Sequence, residues 1–326
     1  MLINASDRIP LVAEMPGGPP AGVQPADTDI PLVLLHGLSQ QRHYWGPVLH
    51  RMRGRRIITV DQRGHGDAAT DDVGPDSDFS MDRLADDVAA VLDAFEVPAA
   101  IVVGHSWGAS VALRTAVRHS ERVRSAVLID GGLFGPRHLV DDTRSLADVR
   151  EQLRPPPLGM LEPVLWQAIS GGDLSPYWSQ EVRAALEPTF QIDDAGRVTT
   201  RLGMERHMAV LDGLIDYDPA PDVQRVSCPT WLVSCEPRAF ESAPDRTAGS
   251  DGPDGPDGPD GPEDDLSAAW LEARQRTLVD LPRTFFLQRW FGALHDVPLQ
   301  WPAMVAGLLE TVAERIEPPR EDPKGA

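Results

Sequence analysis

Residues 101–109 read Ile-Val-Val-Gly-His-Ser-Trp-Gly-Ala, an apolar run that halts at a glycine-bracketed serine. An apolar run that short suits a buried strand, and Gly-x-Ser-x-Gly at its end suits a sharp strand-to-helix turn. Such a turn lifts the Ser106 oxygen clear of the backbone and leaves the following N–H unpaired at a helix N-terminus. Gly104 and Gly108 fit because side chains there would collide where strand and helix cross.

The flanking pattern extends this unit. Leu84, Val88, Val91, Leu92 and Phe95 share one helical face behind Ser80, a suitable N-cap, and Pro98 closes that helix. Ala109 to Val117 continues apolar at helical spacing, and 122–130 supplies another short strand ending at Asp130. Helix, strand, turn, helix, strand is the order of a doubly wound parallel sheet. Further strands are expected at 11–14, 31–35, 56–60, 229–234 and 284–291, with a terminal helix over 302–316.

The 326 residues are enough for one α/β domain with an insertion. Residues 131 to 225 are too long for a simple crossover and read as a helical cap inserted between core segments 1–130 and 226–318, with a tail at 319–326. The net charge of −20 opposes binding to nucleic acid or to anionic membrane surfaces. Of that charge, −8 lies between Glu241 and Asp265, where Gly-Pro-Asp triplets suggest a solvated acidic loop over 244–265. That spacing does not resemble a calcium loop. No apolar run spans a bilayer and the first residues lack a signal-peptide pattern. Cys228 and Cys235, at the two ends of one strand, would stand roughly 23 Å apart at full extension. A reduced, cytoplasmic protein with a small-molecule substrate is therefore expected.

A serine hydroxyl needs a base within hydrogen-bond reach, an acid to orient that base, and donors for a developing oxyanion. His295, just after the last expected strand, would lie at the same sheet edge as Ser106. The other eight histidines show no metal-type spacing. His36-Gly37-Leu38 after a strand, the Asp61-Gln-Arg-Gly-His-Gly66 turn, the Ser106 pentapeptide and the late His295-Asp296 together resemble the α/β-hydrolase superfamily. Within it the chain resembles the capped serine hydrolases grouped with non-haem haloperoxidases and proline iminopeptidases. The resemblance implies an α/β-hydrolase fold, with oxyanion donors at the backbone N–H groups of Leu38 and Trp107.

The family's usual acid, an aspartate after the seventh strand, is missing: Arg238 stands at that place, with Cys235 where a glycine is usual. Asp130, ending the sixth strand, is the favoured substitute. Glu236 is the alternative, and an acid within the acidic loop stays open. Serine rather than aspartate at 106 removes mechanisms that need a carboxylate nucleophile and leaves acyl transfer. No metal, nucleotide or flavin is implied. A small or medium hydrophobic carboxylic ester is the expected substrate, with His36, Trp166 and Trp178 as candidate pocket walls and cap core as the competing role for the tryptophans. A perhydrolase, lyase or acyltransferase using the same residues, or a hydrolase-fold binding protein without turnover, are the alternatives.

Overall fold

The computed structural model describes residues 1–16, 30–52, 54–155, 158–236 and 272–316. The expected acidic loop at 244–265 and tail at 319–326 lie outside these residues. Eight strands form one sheet: β1 (Leu2–Asn4), β2 (Pro10–Glu14), β3 (Leu32–Leu35), β4 (Ile57–Asp61), β5 (Ala100–His105), β6 (Val123–Ile129), β9 (Thr230–Glu236) and β10 (Phe285–Phe291). Their order across the sheet is β1-β2-β4-β3-β5-β6-β9-β10. Pairing is antiparallel from β1 to β4 and parallel from β4 to β10. The sheet is therefore mostly parallel, as the sequence implies.

Burial on both faces explains why the central strands are apolar throughout. Val33 and Leu35 of β3 pack with α2 (Met81–Ala94) and α3 (Trp107–Arg118). Leu32 and Leu34 point the other way, toward α1 (Gly46–Leu49) and α11 (Pro302–Ile316). This is the two-residue alternation of a strand with a helix layer on each side. Ser80 caps α2, its hydroxyl accepting from the Arg83 N–H at 3.4 Å.

Between β6 and β9 run α4 (Leu146–Gln152), α5 (Glu162–Gly171), α6 (Gln180–Leu186), α7 (Met204–Asp216) and α8 (Ala220–Arg225). A small hairpin of β7 (Phe190–Ile192) and β8 (Val198–Thr200) interrupts them. The last helix of this stretch lies on the sheet side: Asp222 of α8 accepts from Arg114 of α3 at 2.9 Å. A further helical segment, α9, covers 272–277, and α10 (Val297–Gln300) precedes α11. The sequence pattern did not anticipate β1, the hairpin or α9. Among the described residues no helix is long and apolar enough to cross a membrane.

Candidate active site

Parallel pairing brings the C-terminal ends of β5, β6, β9 and β10 to one edge of the sheet, where crevices form in folds of this kind. Ser106 follows β5 with φ 55° and ψ −121°, in the left-handed region that non-glycine residues avoid. The turn is forced by contact. A Cβ on Gly104 would run into the Gly108 carbonyl, and one on Gly108 would sit 2.5 Å from the His36 oxygen. Asp130, after β6, also has positive φ (47°), and its N–H donates to the Val233 carbonyl at 2.9 Å.

His295 sits in the turn after β10. Its Nε2 lies 2.9 Å from Ser106 Oγ and its Nδ1 2.7 Å from Asp130 Oδ2. A carboxylate only accepts, so Nδ1 carries the proton and donates to Asp130. That leaves the Nε2 lone pair facing the serine hydroxyl. Desolvation pulls the His295 pKa down, but the hydrogen bond and charge of Asp130 outweigh it and hold the pKa above the usual imidazole value. Burial likewise opposes ionisation of Asp130. Donors from His295 and the Cys235 N–H, with the Arg274 charge, hold its pKa below the usual carboxylate range. Oδ1 of Asp130 accepts from the Cys235 N–H at 3.0 Å and from Arg274 at 2.9 Å.

The other acid candidate lies apart from this chain of hydrogen bonds. Cys235 lines the cavity, and Glu236, next along the strand, turns to the opposite face. There Glu236 accepts from Ser234 at 2.8 Å and Gln275 at 2.9 Å, with Arg274 3.5 Å away. It does not reach His295.

A cavity of about 940 Å³ opens over Ser106 and His295. Its walls are mostly apolar, with Leu38, Trp107, Phe134, Leu211, Leu214 and Leu294 among the lining residues. Leu38 and Trp107 are where the sequence placed oxyanion donors. As the first residue of α3, Trp107 has an N–H with no intrahelical acceptor. Among the described residues, no acceptor is found for the Leu38 N–H either.

The three expected pocket-wall residues fall elsewhere. His36 is fully buried beside His65, with ring centroids 4.9 Å apart, and its Nε2 accepts from the Gln62 N–H at 3.2 Å. It is held as a turn residue rather than a cavity wall. Trp166 and Trp178 pack 6.2 Å apart, and Trp166 meets Phe190 edge-on at 5.8 Å with Arg183 over its ring. These tryptophans form core between α5, α6 and the hairpin, because an aromatic pair gains more from mutual burial than from a wetted cavity wall.

Several residues were not singled out from sequence. His105 Nε2 donates to the His295 carbonyl at 2.8 Å, and Tyr44 stacks on the His105 ring at 5.2 Å. The Tyr44 hydroxyl donates to Asp296 at 2.9 Å. Gln300 accepts from the Leu294 N–H at 2.6 Å and donates to the Gly292 carbonyl at 3.0 Å. The turn carrying His295 is thus tied down on both sides. His105 carried a signal, its place beside Ser106, but its partner lies 190 residues away.

Residues 30–161 match the family described as alpha/beta hydrolase fold. A putative carbamate hydrolase RutD of Pantoea ananatis is 28% identical over 219 residues, covering 66% of this chain and 73% of that one. Epoxide hydrolase B of Mycobacterium tuberculosis is 36% identical over 138 residues, 38% of each chain. Among solved structures, an E-2-(acetamidomethylene)succinate hydrolase superposes with a TM-score of 0.64 at 23% identity, covering 96% of this chain and 98% of that one. With its mostly parallel sheet and the strand–serine–helix turn at the sheet's edge, the chain has the α/β-hydrolase fold.

Proposed function

We propose that this protein is a serine hydrolase that cleaves small to medium carboxylic esters through an acyl-enzyme. Ser106 is the nucleophile, His295 the general base and Asp130 the orienting acid. The observation that carries the reading is the unbroken hydrogen-bonded series from Ser106 Oγ through His295 to Asp130, at 2.9 and 2.7 Å, on the floor of a cavity.

Each atom has a place in this scheme. Ser106 Oγ attacks the carbonyl carbon while His295 Nε2 takes the hydroxyl proton. The carbonyl oxygen becomes an oxyanion and accepts from the Leu38 and Trp107 N–H groups. When the C–O bond to the leaving group breaks, Nε2 returns the proton to the departing alkoxide. Water then enters, gives a proton to Nε2 and attacks the acyl carbon. The bond from the acyl carbon to Oγ then breaks, Nε2 returns the proton to Oγ, and the carboxylic acid leaves. Asp130 keeps Nδ1 protonated throughout and stabilises the imidazolium that forms twice per cycle. Epoxide opening of the kind that passes through an ester intermediate needs a carboxylate at 106, so the likeness to an epoxide hydrolase concerns the scaffold. The segment 131–225 acts as a cap in this reading, since Phe134, Leu211 and Leu214 from it line the cavity. The free thiols of Cys228 and Cys235 suit a reducing, cytoplasmic setting.

The likeness to a carbamate hydrolase favours one second reading, that the acyl group is a carbamoyl and not an alkanoyl. A fluorophosphonate probe tests the nucleophile: wild type should label and Ser106→Ala should not. A wild-type protein left unlabelled overturns the hydrolase reading and leaves a ligand-binding role. A series of p-nitrophenyl esters of rising chain length, set against a p-nitrophenyl carbamate, separates the two acyl classes.

A further inference from the structure

Among the cavity's polar side chains that take no step in the scheme above, His207 is singled out by how it is anchored. His207 comes from α7, and the residues four and seven positions on, Leu211 and Leu214, line the same cavity. The residue is only 9% exposed, and Nδ1 lies 2.8 Å from the Ser39 hydroxyl. Among the described residues Nε2 has no protein partner, and the open space beside the ring is the cavity.

Ser39 marks this contact as built. It has φ 69°, a left-handed conformation that costs a non-glycine residue strain, and it follows Leu38 directly. A glycine would relieve that strain but could not hold the imidazole. The bond to Ser39 ties His207 to the residue next to Leu38, whose N–H is a proposed oxyanion donor. A polar group meeting the imidazole there would belong to the acyl chain close to that carbonyl.

The nature of that group follows from the ring. Burial pushes the His207 pKa down to about 4, so the imidazole is neutral in ordinary buffers. A neutral ring gives little to a carboxylate. The Ser39 hydroxyl can donate to Nδ1 or accept from it, so Nε2 presents either a proton or a lone pair. A hydroxyl is satisfied by both, because it donates and accepts.

We infer that His207, anchored by Ser39, is a substrate-binding residue that selects acyl groups bearing a hydroxyl close to the scissile carbonyl. This rests on the ester-hydrolase reading for the position of the carbonyl, and it names the substrate class.

The test compares p-nitrophenyl 3-hydroxybutyrate with p-nitrophenyl butyrate. Wild type should favour the hydroxy ester in kcat/KM by about tenfold, the worth of one added neutral hydrogen bond. In His207→Leu the ratio should fall to within about twofold of unity. His207→Gln should keep part of the preference, since its amide both donates and accepts, and Ser39→Ala should lose part of it by freeing the ring. A wild-type ratio near unity, or a full preference surviving in His207→Leu, overturns the inference. Calorimetric binding of the two ethyl esters to Ser106→Ala, with and without His207→Leu, reads the same preference with no turnover. Failure of ester hydrolysis alone would count against the parent reading, whereas equal binding of the two esters to Ser106→Ala counts against the role of His207.

Discussion

At the scale of single residues, Ser106 holds a backbone conformation that its own side chain disfavours, and the geometry of attack depends on it. Replacement by alanine and by glycine both remove the hydroxyl, but only glycine removes the strain. Ser106→Gly should therefore be more stable than Ser106→Ala by about 1 kcal/mol, read as a higher midpoint in thermal unfolding. An alanine variant of equal or greater stability would show that the turn stores no strain. The His295–Asp130 pair makes a prediction about pH. A general base works when neutral, and the pKa of His295 is raised, so the acid limb of kcat/KM should have its midpoint above the free imidazole value of 6.5. Asp130→Asn removes the charge behind the two largest influences that raise it, leaving that of Asp296. Its limb should move to lower pH, and the rate should fall by about 10⁴. Glu236→Gln, by contrast, should leave the limb where it is, because Glu236 does not touch His295. A limb moved by the Glu236 change and not by the Asp130 change would reverse the assignment. Asp130 could be proposed from the strand it ends. The sequence favoured it over Glu236 on that ground, but both close strands at the same edge and only side-chain direction separates them.

At the scale of elements, the turn carrying His295 depends on partners from three other segments. The His105 Nε2–H to His295 carbonyl bond links the strand that leads into Ser106 to the turn that carries His295. His105→Phe keeps the ring that stacks on Tyr44 and strands only that carbonyl. It should lower kcat by about one to two orders of magnitude with little change in KM, as expected when a reacting group is misplaced while substrate binding is untouched. An unchanged kcat would make the bond incidental. The elbow glycines are constrained differently. Gly108→Ala forces a methyl against the His36 carbonyl and should cost about 1–3 kcal/mol or more in urea unfolding. The long elements were legible: the spacing located β3, β5, β6, α2 and the terminal α11, because burial on two faces, or along one helical stripe, writes a repeating apolar pattern. Strands β1, β7 and β8 have three residues each, too few for any period to show.

At the scale of the whole molecule, the sheet edge gathers residues from four strands, and residues of the segment between β6 and β9 line the cavity beside them. The two groups of large residues in that segment should respond differently to truncation. Trp166→Ala should lower stability by about 3–5 kcal/mol and leave the preferred acyl-chain length unchanged, because Trp166 packs against Trp178 and Phe190 away from the cavity. Phe134→Ala should move the optimum toward longer chains by enlarging the cavity it lines. Ester chain-length profiles of the two variants read this directly, and a changed profile for Trp166→Ala would return the tryptophans to the pocket. Both groups look alike in sequence, as large apolar residues at helical spacing. The sequence by itself determined the alternation of strands and helices, the serine turn, and the late histidine at the matching edge, since these follow from local backbone limits and apolar periodicity. Which carboxylate meets the histidine, which aromatic residues face the cavity and which side chains clamp the base were decided by the tertiary structure alone. Those contacts join residues far apart along the chain, and a one-dimensional pattern carries no record of the direction in which a side chain points.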